Sequence, residues 1–90
     1  MGAPLRITLS ATRDCWVSAT ADGERAIARL LRAGEQRSLE VHRELSLTAG
    51  DAAALQVTLN GAPARPLGRA GEVVTVRYGV ANFAEYLKTP

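Results

Sequence analysis

Two side chains in this 90-residue sequence could act together as nucleophile and base: Cys15 and His42, each the only residue of its type. A thiol activated by an imidazole would give acyl-transfer or hydrolytic chemistry, provided the two lie within hydrogen-bond reach. Local context argues against it. His42 stands with Arg43 and Glu44 between two apolar alternations, where an exposed turn is expected and nothing adjacent would fix the ring. Cys15 alternates onto the side of Val17 and Ala19, the place of a small buried hydrophobe. Metal chemistry fares no better, because one Cys, one His and three scattered aspartates form no ligand cluster of recognised spacing. Asp22-Gly23 and Gly50-Asp51 read as turns and not as a calcium loop. Gly68 and Gly71 lack the Lys-Ser/Thr that completes a phosphate-cradling loop. The residues therefore predict no catalytic site, no metal and no cofactor: a non-enzyme.

The elements that would carry these side chains are strands. Leu55, Val57 and Leu59 alternate with Gln56 and Thr58, and Asn60-Gly61 follows as a hairpin signal, since both central residues of a type I′ turn need positive φ. After Gly68 and Gly71, Val74, Val76 and Tyr78 alternate with Thr75 and Arg77. Earlier in the chain, Leu5–Ser10 and Cys15–Ala21 alternate in the same way, the second ending at the hairpin signal Asp22-Gly23. Ala26–Leu31 is read as a strand over a competing helix, because the segment between Gly23 and Ala33-Gly34 suits a hairpin arm. Gly34-Glu35-Gln36 turns the chain into Arg37–Val41. Leu45–Ala49 is a further strand, stopped by Gly50-Asp51, and Ala52–Ala54 bridges into Leu55. Pro63 and Pro66 forbid a continuous central strand between Gly61 and Gly68. Short strands with turns every eight to twelve residues predict an all-β fold, a small antiparallel β-sandwich of about seven strands.

The whole chain is expected to be one domain over residues 1–90, with a core at about 5–78 and a tail at 79–90. About half the residues are hydrophobic, which favours a globule over disorder, but much of that content is alanine. The core must rest on Leu, Ile and Val with Trp16 and Tyr78, helped by Phe83, Tyr86 and Leu87. Net charge is only +2, and the arginines are interleaved with glutamates from Arg6 to Arg77, so no basic stripe for nucleic acid is present. A single cysteine excludes an internal disulfide. No apolar run is long enough to span a bilayer, and Met1–Arg6 does not begin like a signal peptide. The chain reads as soluble.

Trp16 is out of pattern. Alternation sets it beside Ser18 and Thr20, on the polar face. Cover by the tail residues Phe83, Tyr86 or Leu87, or by an arginine stem, is the structural expectation. An exposed anchor for a partner is the functional one, with Trp16, Arg29, Phe83 and Tyr86 as the candidate partner-binding residues. The tail itself predicts a short helix over Phe83–Lys88 capped by Asn82.

The ordered set Cys15-Trp16-Val17, Ala21-Asp22-Gly23, Leu31-Arg32-Ala33-Gly34-Glu35, Leu47–Ala52 and Val57–Gly61, followed by Pro66-Leu67-Gly68 and Gly71-Glu72-Val73, resembles the RodZ C-terminal domain family. The likeness runs from about Leu5 to Tyr78 and rests on core positions and on the fold-specifying turn positions Asp22, Gly23, Gly34, Gly50, Asp51, Asn60, Gly61, Gly68 and Gly71. Asp51 departs from it, since the family pattern usually has asparagine there. The resemblance implies an all-β extracytoplasmic module of a single-pass bacterial membrane protein that links the cytoskeleton to wall synthesis and helps set cell shape. It further implies that this chain is the outer domain of a longer protein, reaching the membrane only through a helix outside it. The implied partners are proteins of the wall-synthesis machinery or the cell wall itself. Competing functions are a carbohydrate- or peptidoglycan-binding module, for which only Trp16 and Tyr86 could form the platform, and a small hydrolase joining Cys15 to His42.

Overall fold

The computed structural model describes residues 4–87. Eight strands, β1 (Leu5–Ala11), β2 (Cys15–Ala21), β3 (Glu24–Leu31), β4 (Gln36–Val41), β5 (Glu44–Ala49), β6 (Leu55–Leu59), β7 (Ala62–Pro63) and β8 (Val74–Gly79), form two four-stranded sheets. One has the order β4-β1-β6-β7 and the other β3-β2-β5-β8, with every pairing antiparallel. The expected sandwich is therefore present, with one strand more than seven. The extra strand is the two-residue β7, and its Pro63 sits on a sheet edge, where a missing N–H costs no ladder bond.

Alternation decides the packing. Leu5, Ile7, Leu9 and Ala11 of one sheet, and Cys15, Val17 and Ala19 of the other, are all buried, as are Leu45, Leu47, Leu55, Val57, Leu59 and Tyr78. Between them lie Ser, Thr and Arg residues that face solvent, the pattern of sheets with one wet face. Ala26–Leu31 is indeed extended and pairs with β2, with a bulge where Ala19 and Thr20 meet it.

Two hairpins fix register. Asp22 and Gly23 have φ of 50° and 86°, and Asn60 and Gly61 have 53° and 84°, the left-handed pair that a type I′ turn requires. Gly68 is needed for another reason. A Cβ there would collide with the Glu72 carboxylate and lie 3.1 Å from Ala52 Cβ. Gly71 instead has open space around it and a φ of 77°, so a side chain would fit and the backbone is what asks for glycine.

Two lateral sides of the sandwich are closed differently. At the β7/β8 side the tail bridges the sheets: Arg65 N–H donates to Tyr86 C=O at 2.7 Å, Ala64 bridges to Leu87, and the Tyr86 ring meets Tyr78 edge-on with centroids 5.2 Å apart. The expected helix over Phe83–Lys88 is a 3-10 turn, Phe83–Tyr86, and Lys88 lies outside the described residues. Asn82 does not cap it. Its Oδ1 accepts the Gly79 N–H at 2.8 Å instead, holding the end of β8. At the β3/β4 side, Arg29 and Arg37 pair in register with the buried Val17 and Leu9 and so point between the sheets. Both reach Glu35, at 3.4 and 3.7 Å.

Asp22 has a second task. Its carboxylate accepts the backbone N–H groups of His42, Arg43 and Glu44 at 2.8, 2.7 and 3.0 Å, tying the crossover between sheets to the β2–β3 hairpin. These bonds, chiefly those from His42 and Glu44, hold its carboxyl below the ordinary 3.8. The Arg32 N–H, followed by the neighbouring arginines, likewise holds Glu35 below 4.5. Because the folded-state values are the lower ones, the unfolded chain takes up these protons first as pH falls. Stability is thus expected to be full above about pH 5 and to decline through the acid range. Asp22→Asn should flatten that decline in urea midpoints measured at pH 3 to 6; an unchanged acid slope would remove Asp22 from the account.

Candidate interaction site

The structure separates the one pair that could have done covalent chemistry. Cys15 begins β2, and His42 lies beyond the other end of that seven-residue strand, on the turn bound by Asp22. At strand rise that is roughly 20 Å, out of reach for proton transfer. The Cys15 thiol is buried and directed at the carbonyls of Trp16 and Asp51, at 3.4 and 3.5 Å. Among the described residues no group of three or more His, Cys, Asp or Glu side chains is placed to hold a metal. Asp51 is a structural residue: it pairs with Arg13 at 3.2 Å and accepts the Gly71 N–H at 2.9 Å.

The four partner-binding candidates do not converge. Phe83 and Tyr86 are half-buried against the core on the β7/β8 side, Arg29 lies in the gap between β3 and β4, and Trp16 stands on the outer face of the β3-β2-β5-β8 sheet. The tail does not cover Trp16, which is 51 % exposed, because Tyr78 and the sheet edges claim the tail first. The platform of Trp16 with Tyr86 that a glycan binder needed is therefore not assembled. Truncation after Val80 is expected to lower the unfolding midpoint while leaving the Trp16 emission maximum unmoved; a shift of that maximum in the folded, shortened chain would contradict this placement. Trp16→Ala should change stability by less than about 1 kcal/mol.

Trp16 has company that the sequence did not reveal. It pairs across the hairpin with Leu30, and on its other side its carbonyl accepts the Gly50 N–H at 2.8 Å. The register Ala49↔Val74, extended by one residue, sets Gly50 opposite Val73. Leu30, Trp16 and Val73, the exposed large hydrophobics of the described chain, thus share a single cross-strand row, and Gly50 leaves a gap in it. The next row is Ala28, Ser18, Thr48 and Thr75, whose last two hydroxyls lie 3.0 Å apart. Arg25 and Arg77 flank Thr20 and Ser46 in the third. The face grades from apolar to hydroxyl to cationic. Alternation alone could have placed Val73 with Thr75, but Leu30 needed the hairpin register.

Shallow hollows mark the surface among the described residues. One of about 400 Å³ follows β6 and the 63–68 segment, one of about 380 Å³ lies at the cationic end of the outer face, and one of about 350 Å³ opens between β3 and β4. Neither Cys15 nor His42 lines any of them. Among the described residues no helix is long and apolar enough to cross a membrane.

No curated protein and no solved structure gives a match to this chain. A family does. Residues 8–77, from within β1 to within β8, match the RodZ C-terminal domain, and every turn carrying the sequence likeness falls inside that span. This chain, a two-sheet, all-β sandwich with its hairpins at Asp22-Gly23 and Asn60-Gly61, belongs to the RodZ C-terminal domain family.

Proposed function

We propose that this chain is the extracytoplasmic interaction domain of a RodZ-like, membrane-anchored bacterial protein that takes part in cell shape and in organising wall synthesis. It works by binding and not by catalysis. The family match over residues 8–77 carries the reading. The use made of polar groups supports it: Asp22, Glu35 and Asp51 are spent on turns and edges, while the exposed large hydrophobics collect on one sheet face. Its partners are proteins of the wall-synthesis machinery or the wall itself.

Two measurements on the full-length protein test this. Alkaline phosphatase fused after this domain is expected to be active, as it is only outside the cytoplasm, and a variant whose domain is unfolded by Leu47→Asp is expected to lose normal cell shape. An inactive fusion would sink the location; unchanged shape without the domain would sink the role.

A further inference from the structure

Strand β3 is an open sheet edge on which two recognition features meet. Because the Trp16 carbonyl accepts the N–H of Gly50, the residue after β5, antiparallel alternation turns the backbone groups of Cys15 and Val17 toward β3. Their partners there are Leu31 and Arg29. Ala28 and Leu30 therefore direct their N–H and C=O groups away from the sheet. Arg29 Nε reaches the Leu30 carbonyl at 3.3 Å. Two N–H donors and the Ala28 carbonyl remain for an added strand, which would extend the sheet by one.

Side chains beside this edge say what such a strand would carry. On the outer face it would meet Leu30, 43 % exposed, with Trp16 behind it. On the inner side it would meet the hollow between β3 and β4, where Ile27 and Leu39 supply an apolar floor and Arg29 and Arg37 the rim. Arg25 and Arg32, near the two ends of β3, make no ion pair among the described residues. Of the acids around it, Glu35 is already shared by two arginines, and Asp14 accepts the Ala33 N–H at 2.9 Å. Glu40 is on the opposite face of its sheet, paired with Arg6, and Glu24 is at the hairpin tip. The edge thus has apolar contact on both faces and surplus positive charge. A second copy of β3 would bring its own arginines against these, so like-charge repulsion disfavours self-pairing.

We infer that β3 is the docking edge for an extended segment of a partner protein in which apolar residues alternate with acidic ones. The inference rests on the reading of this chain as an interaction domain and specifies the chemistry of what it binds.

The probe is a ten-residue peptide alternating valine with glutamate, titrated into the isotope-labelled chain, with a valine–lysine peptide as its counterpart. Expected are saturable shifts and slowed hydrogen exchange at the Ala28 and Leu30 amides, a change in Trp16 emission, and at least tenfold weaker binding of the lysine peptide. Ala28→Pro removes an outward N–H at a position where an edge strand tolerates proline, and should weaken binding by a similar factor. Should that variant not fold, the Arg25→Glu/Arg32→Glu double variant, changed only at exposed positions, must reduce the preference for the acidic peptide. Absence of shifts at Ala28 and Leu30, equal binding of both peptides, or a dimer formed through β3 in sedimentation would overturn the inference. These readouts use the chain alone, so they fail separately from the fusion and cell-shape experiments.

Discussion

Replacing Tyr78 by alanine is expected to remove about 3–5 kcal/mol of folding stability, a large share of the roughly 5–15 kcal/mol that holds a domain of this kind together. Tyr78 is 1 % exposed, the largest fully buried side chain among the described residues, and the tail is seated on it through a T-shaped contact with Tyr86. Its loss would open a cavity and release the cover of the β7/β8 side together. A urea titration reads the effect; a loss below about 1 kcal/mol would mean the tail holds without it. The same ring sets an alkaline limit. Burial first, and then the neighbouring Tyr86, push its hydroxyl up to about 12 from the ordinary 10.0. The folded-state value is the higher one, so the unfolded chain ionises first, and stability present below pH 10 is lost as pH rises toward 12, by about 2–3 kcal/mol at most. Tyr78→Phe should abolish that part of the decline.

Leu47→Ala should cost about 3–5 kcal/mol, the upper part of the usual range for such changes. The reason is its neighbours. Leu47 is fully buried, paired with Ala19 on one side and half-buried Val76 on the other. Ala19 offers no atoms to move into the space, so the cavity would persist. Leu39→Ala makes the contrast: half-buried on β4 beside an open hollow, it should cost much less. Equal losses at the two positions would show that the core near Leu47 collapses freely.

The fold was legible because its signals are local. Alternation of apolar and polar residues located β1, β2, β5, β6 and β8 to within a residue at each end, and Asp-Gly and Asn-Gly named the two hairpins. Ala26–Leu31 was harder, because the bulge opposite Ala19 and Thr20 breaks its period and Arg29 occupies an inward position. The tail misled for a related reason. Phe83, Tyr86 and Leu87 have helical spacing, but Asn82 gives its side chain to Gly79, and one tight turn is all that forms. Least legible was the candidate site. That Leu30, Trp16 and Val73 lie in one row follows from two strand registers and one glycine, and these are known only once the strands are paired.

Leu5 pairs with Val41, Gly79 with Glu44, and the Val80 N–H bonds to Arg43 at 3.0 Å, so the chain enters and leaves β1 and β8 beside the same corner that Asp22 grips. A tether running from Leu5 to a bilayer would plant this corner nearest the lipid headgroups. The apolar row would then ride roughly 20 Å further out by strand rise, at the end of the sandwich turned away from such a bilayer.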